Sequence, residues 1–197
     1  IDSGFERSAL PDSIDITGIE FVEEFESFAV KKRELTDTIG HGTAVVSTIL
    51  EQNKNIELIM CKIFEDDFMA DTEKLIFILD YIYDNIDCDI LHMSFGITEC
   101  DCISHLKKIC QKINDRGTYI VSAFDNNGAV SYPACFDSVI GVDSFIPYTG
   151  YKYQLIENSV VNVRLNIGLK RFTVNGQHYI FNGSSFAAAY ITGLLSI

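Results

Sequence analysis

Four apolar, β-rich runs at 56–63, 88–94, 118–124 and 138–144 alternate along the chain with stretches of helical period. A strand that is apolar throughout has no polar face to turn to water, so it must be covered on both sides. Strands separated by helix-length connections pair in parallel. The alternation therefore predicts an α/β fold: a three-layer, doubly wound, mainly parallel sheet with helices on both faces. In 71–86, Leu75, Leu79, Ile82 and Ile86 recur at steps of four, three and four, and Ile76 and Tyr83 widen the stripe, which predicts a helix lying on the sheet. A second helix is expected over 103–114, where Leu106, Ile109, Cys110 and Ile113 share a face and Arg116-Gly117 supplies a stop. Between 151 and 181 the pattern turns to alternation. There Asn175-Gly176, between 171–174 and 178–181, reads as a two-residue hairpin turn, so a small antiparallel region is expected at one edge. The last run, 184–195, is apolar nearly all round, as a buried helix is.

The 197 residues, 47% of them apolar and only three proline, suit one core and a single domain spanning 1–197. No apolar run approaches the roughly 20 residues of a membrane span; even 75–86 is interrupted by Asp80, Tyr81, Asp84 and Asn85. A soluble protein without a membrane partner is expected. Fifteen basic residues against 28 acidic ones give a formal charge of -13, which argues against nucleic acid and would attract cationic peptides. Solvation of the surface explains most of the acidic residues equally well. Six cysteines lack the density of a disulfide scaffold, and reduced thiols favour a cytoplasmic compartment. No targeting segment can be read from Ile1 onward, which leaves secretion open. Cys100-x-Cys102 with His105 and Cys110 offers zinc-type ligands, but the spacing fits no familiar zinc module, and free cysteines at a helix start are the simpler reading.

Three short segments carry candidate chemistry. Asp2 follows an apolar residue and is followed by Ser3-Gly4, which permits a sharp exit; turn chemistry alone would account for it. Gly40-His41-Gly42-Thr43 opens an apolar helix and leaves an imidazole uncrowded between glycines, as a base needs, although a capping or surface histidine reads the same way. Gly183-Ser184-Ser185-Phe186-Ala187 places a serine in the first turn of the buried helix, where backbone N–H groups face any nearby negative charge; a plain N-cap is the competing reading.

Together, in the order Asp, His, Ser, these contexts resemble the subtilisin family, as do Met93-Ser94-Phe95-Gly96 and 121–128, so the resemblance runs from Asp2 to Gly193. It implies Asp2, His41 and Ser185 as a catalytic triad and Asn126 as an oxyanion donor, with the Ser185 N–H as the second. It further implies that Ser94, Phe95 and Gly96 pair with substrate and that Phe68, Met69 and Ala70 form the other side of the cleft. Phe124 and Asp125 stand where the family has small residues, so they should reshape the pocket for the residue preceding the scissile bond. Phe186 and Ala189 replace a methionine and a proline. Asp125 with the acidic run from Glu65 to Asp67 implies a preference for basic residues near the cut.

No cofactor is required by the implied chemistry. The stretch from Leu50 to Ile56 lacks the loop that holds a tight calcium in many relatives, so structural calcium is not expected there, and weaker sites elsewhere stay open. So little precedes Asp2 that the first strand has lost nearly all its family length, and the end at Leu195-Ser196-Ile197 suggests a similar trim. The expected function is a serine endopeptidase acting through an acyl-enzyme, with a narrow range such as leader or propeptide processing. A general degradative enzyme and a catalytically silent, peptide-binding module are the alternatives.

Overall fold

Ten strands and four helices follow one another in a computed structural model that describes residues 1–197 apart from 26, 70, 146–152 and 175. The strands are β1 (Asp15–Glu24), β2 (Ser27–Lys32), β3 (Glu57–Lys62), β4 (Ile90–Met93), β5 (Tyr119–Ala123), β6 (Ile140–Ser144), β7 (Tyr153–Leu155), β8 (Val163–Leu165), β9 (Lys170–Val174) and β10 (Gln177–Phe181). The helices are α1 (His41–Leu50), α2 (Thr72–Asn85), α3 (Ile103–Asp115) and α4 (Ser184–Leu195). The apolar runs read from the sequence are β3, β4, β5 and β6, and they are parallel wherever they pair with one another.

Hydrogen bonding gives a three-stranded sheet ordered β2-β1-β3 and a five-stranded sheet ordered β4-β5-β6-β8-β7. Ile1 and Asp2 lie between their facing edges. Asp2 forms a parallel bridge with Lys62; its N–H donates to the Cys61 carbonyl at 3.1 Å, and its own carbonyl accepts from Ile63 at 2.9 Å. On the other side the Ile1 nitrogen donates to the His92 carbonyl at 2.7 Å. Ile1 and Asp2 thus bond to both sheets. Beyond them a cavity of about 650 Å³ opens between β3 and β4, lined among others by Ile1, Met60, Ile82, Leu91 and His92.

The layers follow from the apolar stripes. Leu75, Ile78, Leu79 and Ile82 of α2 and Leu106, Ile109, Cys110 and Ile113 of α3 share one core with Ile19, Phe21, Ile63, Leu91 and Met93 on one face of the strands. On the other face Ala187, Ala188 and Ile191 of α4 meet Val121, Ala123, Val142 and Leu165. The opposite side of α4 meets α1 through Ala44, Val45, Ile49, Phe186 and Ala189, which explains its apolar circumference. A Cβ at Gly193 would stand 2.7 Å from the Ile49 carbonyl oxygen, so the two helices approach closely there.

Two features depart from the sequence reading. The β1–β2 hairpin escaped it, because its turn contains Phe25 at φ 52° and none of the glycine or asparagine that usually signals a positive φ. The antiparallel region also divides. β7 pairs with β8 at the outer edge of the five-stranded sheet, whereas β9 and β10 form a separate ribbon whose Phe172 and Phe181 cover the α1–α4 core. In that ribbon Gln177 opposes Val174, which leaves a two-residue connection with Gly176 at φ 76°; Asn175 lies outside the described residues.

All six cysteines are free, and burial pushes the Cys61 thiol up to about 11 and the Cys110 thiol up to about 12. Among the described residues no helix is long and apolar enough to cross a membrane, and no group of three or more His, Cys, Asp or Glu is placed to hold a metal ion.

Candidate active site

Asp2, held by its strand bridge, is buried to 1% exposure. Its Oδ1 accepts from the Ser3 N–H at 2.7 Å and lies 2.9 Å from His41 Nδ1; its Oδ2 accepts from the Ser94 hydroxyl. Burial alone would raise this carboxyl. The charge of His41 and the hydrogen bonds from His41, Ser94 and Ser3 outweigh it and hold the group well below the usual carboxylate range. For His41 burial acts to lower the pKa, but the charge and hydrogen bond of Asp2, with a further contribution from Asp37, leave it raised above 6.5.

His41 is the first residue of α1, and Gly40 before it sits at φ 77° with no side chain to cap the helix. Asp37 does that work instead. Its Oδ1 accepts from Gly40 N–H and the Ser3 hydroxyl, both at 2.8 Å, and its Oδ2 accepts from the N–H and hydroxyl of Thr43 at 2.8 and 2.6 Å. Ser3 in turn accepts from Gly42 N–H at 2.9 Å. A Cβ on Gly42 would fall 2.2 Å from the Gly4 carbonyl oxygen and 3.2 Å from Asp2 Oδ1, so only glycine lets the histidine turn approach the aspartate. The sequence reading missed Asp37, although a carboxylate three residues before a helix-opening glycine is a recognisable cap.

Ser185 stands in the first turn of α4, half-buried, with its hydroxyl donating to the Ser94 carbonyl at 2.7 Å. Its neighbour Ser184 is the structural serine: it is 1% exposed, and its hydroxyl donates to the Phe124 carbonyl and to Asn126 Oδ1. Asn126 Oδ1 also accepts from Ser184 N–H at 2.9 Å, which orients the amide. Its nitrogen has no hydrogen-bond partner among the described residues and lies on an exposed side chain. The Ser185 N–H, in the first helical turn, has no intrahelical acceptor either.

Aromatic rings enclose the imidazole. Phe68, Phe186 and Phe181 stand edge-on to His41 at centroid distances of 5.1, 5.4 and 5.9 Å, and Phe64 links Phe68 to Phe95. Phe68 is 56% and Met69 80% exposed; Ala70 lies outside the described residues.

The structure therefore brings Asp2, His41, Ser94, Ser185 and Asn126 together. His41 and Ser185 share no hydrogen bond among the described contacts, but Phe186 adjoins both. Phe124 continues the β5–β6 ladder, is 5% exposed, and its ring occupies the space a Cβ on Gly141 would take. Asp125 is half-buried and its carboxylate closes a turn on Asn127 N–H at 2.8 Å.

The subtilase family model matches residues 1–197. Among solved structures, the prenylagaramide maturation protease PagA is similar with a TM-score of 0.69 and 18% identity, over 98% of this chain and 71% of its own. Sphericase gives 0.73 and 18% over 91% and 69%. A cold-adapted subtilisin-like serine proteinase gives 0.67 and 20% over 82% and 61%. At such identities these likenesses show the fold, and a search of curated proteins found no match. With the family model covering every residue, the chain belongs to the subtilase family, whose members are serine peptidases.

Proposed function

We propose that the chain is a serine endopeptidase in which Ser185 is the nucleophile, His41 the base and Asp2 the group that orients and charges the imidazole. The observation that carries this reading is the continuous hydrogen-bonded run from His41 Nδ1 through Asp2 to Ser94, whose carbonyl holds the Ser185 hydroxyl. With Nδ1 committed to Asp2, Nε2 is the lone pair left to take a proton. An extended substrate competes for the Ser94 carbonyl with its own N–H, which frees the hydroxyl to turn to Nε2 and attack the peptide carbonyl. The developing oxyanion then meets Asn126 Nδ2 and the Ser185 N–H, and His41 returns the proton to the leaving nitrogen. These steps call on no metal.

The lean loops support a narrow substrate range of the leader- or propeptide-processing kind over general degradation, and PagA, a maturation protease, shares the fold. Asp125, Asp66 and Asp67 support basic residues near the cut. Glu65 contributes less, since it is paired with Lys62 at 3.5 Å and Lys74 at 3.3 Å. Labelling with a fluorophosphonate tests the assignment: the parent chain should label and Ser185→Ala should not. A folded parent that stays unlabelled refutes the reading in favour of a silent peptide-binding module.

A further inference from the structure

A second cavity, of about 440 Å³, opens where the turn leading from Asp2 to β1 passes the end of β2. Phe5 and Ile16 form its apolar lining, and Arg7, Lys32, Arg33 and Glu34 its charged lining. Three cations therefore meet one carboxylate in a chain whose 15 basic residues are outnumbered by 28 acidic ones. Charge at this place runs against the formal -13 of the whole.

The arginine is held but not satisfied. Arg7 opens a short 3-10 turn, Arg7–Ala9, and its Nη2 donates to the Asp12 carbonyl at 2.8 Å, which anchors one end of the guanidinium. Its Nη1 is buried and has no hydrogen-bond partner among the described residues. A buried charged donor without an acceptor is costly, and folded proteins leave few of them. The carboxylate beside it in the chain gives no relief, because Glu6 Oε1 accepts from the N–H and hydroxyl of Ser8. Among the described residues neither Arg7 nor Lys32 forms an ion pair, whereas Arg33 is paired with Glu20 through Nη2.

The walls are fixed as well. Arg33 N–H donates to the Gly18 carbonyl at 3.1 Å, and a Cβ on Gly18 would stand 2.3 Å from the Arg33 carbonyl oxygen, so the segment 32–34 lies tightly on β1. Glu6 N–H donates to Thr43 Oγ1 at 2.9 Å and pins the arginine turn to α1. The cations thus arrive from two separate, anchored segments.

We infer that this cavity binds an oxyanion of the phosphate type, with Arg7 as its fixed donor and Lys32 as the mobile second cation. A carboxylate offers two oxygens in one plane and suits a single guanidinium; a phosphate group has oxygens on several sides and can answer two cations on different walls at once. The site is separate from the candidate triad, and its occupation is independent of the peptidase reading.

Inorganic phosphate is the probe, followed by ³¹P line broadening at constant ionic strength set with sodium chloride. The parent should broaden the signal saturably. Arg7→Gln should weaken binding at least about tenfold, and Lys32→Gln about two- to fivefold, while Lys54→Gln, which removes an exposed cation elsewhere, should leave it unchanged. Lys32 is exposed, so that variant should fold even where the loss of the Asp12 contact loosens Arg7→Gln; far-UV circular dichroism checks both. Absence of saturable broadening with the parent overturns the inference. An equal fall in all three variants, which would report net charge alone, also overturns it, as does parent-like affinity in both Arg7→Gln and Lys32→Gln. Acetate that displaces phosphate at equal concentration overturns the assignment of the anion.

Discussion

Asp37 touches no reacting atom, yet the position of the base depends on it. Asp37→Ala deletes acceptors for Ser3 Oγ, Gly40 N–H, Thr43 N–H and Thr43 Oγ1, at 2.6 to 2.8 Å. The hydroxyls have some recourse, since Ser3 Oγ keeps Asp2 Oδ1 at 3.2 Å. The two amides have none. Thr43 is 1% and Asp37 itself 1% exposed, so water reaches the vacated site poorly. Each buried donor left without a partner costs about 1–3 kcal/mol, and two to three of them give about 3–5 kcal/mol once non-additivity is allowed for. That is a large part of the about 5–15 kcal/mol that holds a domain folded. With a urea slope of about 2.5 kcal/mol/M, the midpoint followed by far-UV circular dichroism should fall by about 1–2 M. Asp37→Asn keeps one oxygen and should lose about half as much. A midpoint within about 0.3 M of the parent for Asp37→Ala would refute the claim that this carboxylate holds the start of α1.

Two further outcomes test the chemistry. Asn126→Ala should still fold, at some cost in stability from the Ser184 N–H it leaves without its acceptor, and lose about 3 kcal/mol of transition-state stabilisation, a 10²- to 10³-fold fall in kcat, read with a cleaved peptide at saturating concentration. The pH profile of kcat/KM should show an acid limb with its midpoint above 6.5, because the base must be neutral and Asp2 raises its pKa. In Asp2→Asn the raising influence of Asp2 is removed and burial, which lowers the pKa, remains. The midpoint should therefore move to lower pH while the plateau falls by about 10⁴-fold, and an unmoved midpoint would contradict the electrostatic role of Asp2.

What was legible in the sequence was local. Gly40-His41-Gly42-Thr43 and Gly183-Ser184-Ser185 each announce a helix start with a reactive group, because a capping glycine and its neighbours are adjacent in the chain. The four central strands are equally legible, since apolar runs between helical stripes have few other places to go. What escaped depends on distant partners. Asp37 acts on residues at both 3 and 43, and Ser94 was read only for its backbone, although its hydroxyl binds Asp2 from 92 residues away. The bulk of Phe124 stands out in the sequence, but that its ring packs against Gly141 of the neighbouring strand depends on the register of β5 on β6. The β1–β2 hairpin was hidden for the opposite reason, since its turn uses ordinary residues in an uncommon conformation.

Asp2 ties the candidate site to two strands at once, its backbone bridging to β3 and its carboxylate held by Ser94 just past β4. The imidazole and the serine hydroxyl stand on α1 and α4, which pack closely on each other, so those two ride together while the carboxylate answers to the strands. A slip of about an ångström at that tether would turn the imidazole away from the attacking oxygen without melting a single helix or strand. Gentle warming should therefore silence this protein at temperatures where its circular dichroism still reports a native backbone.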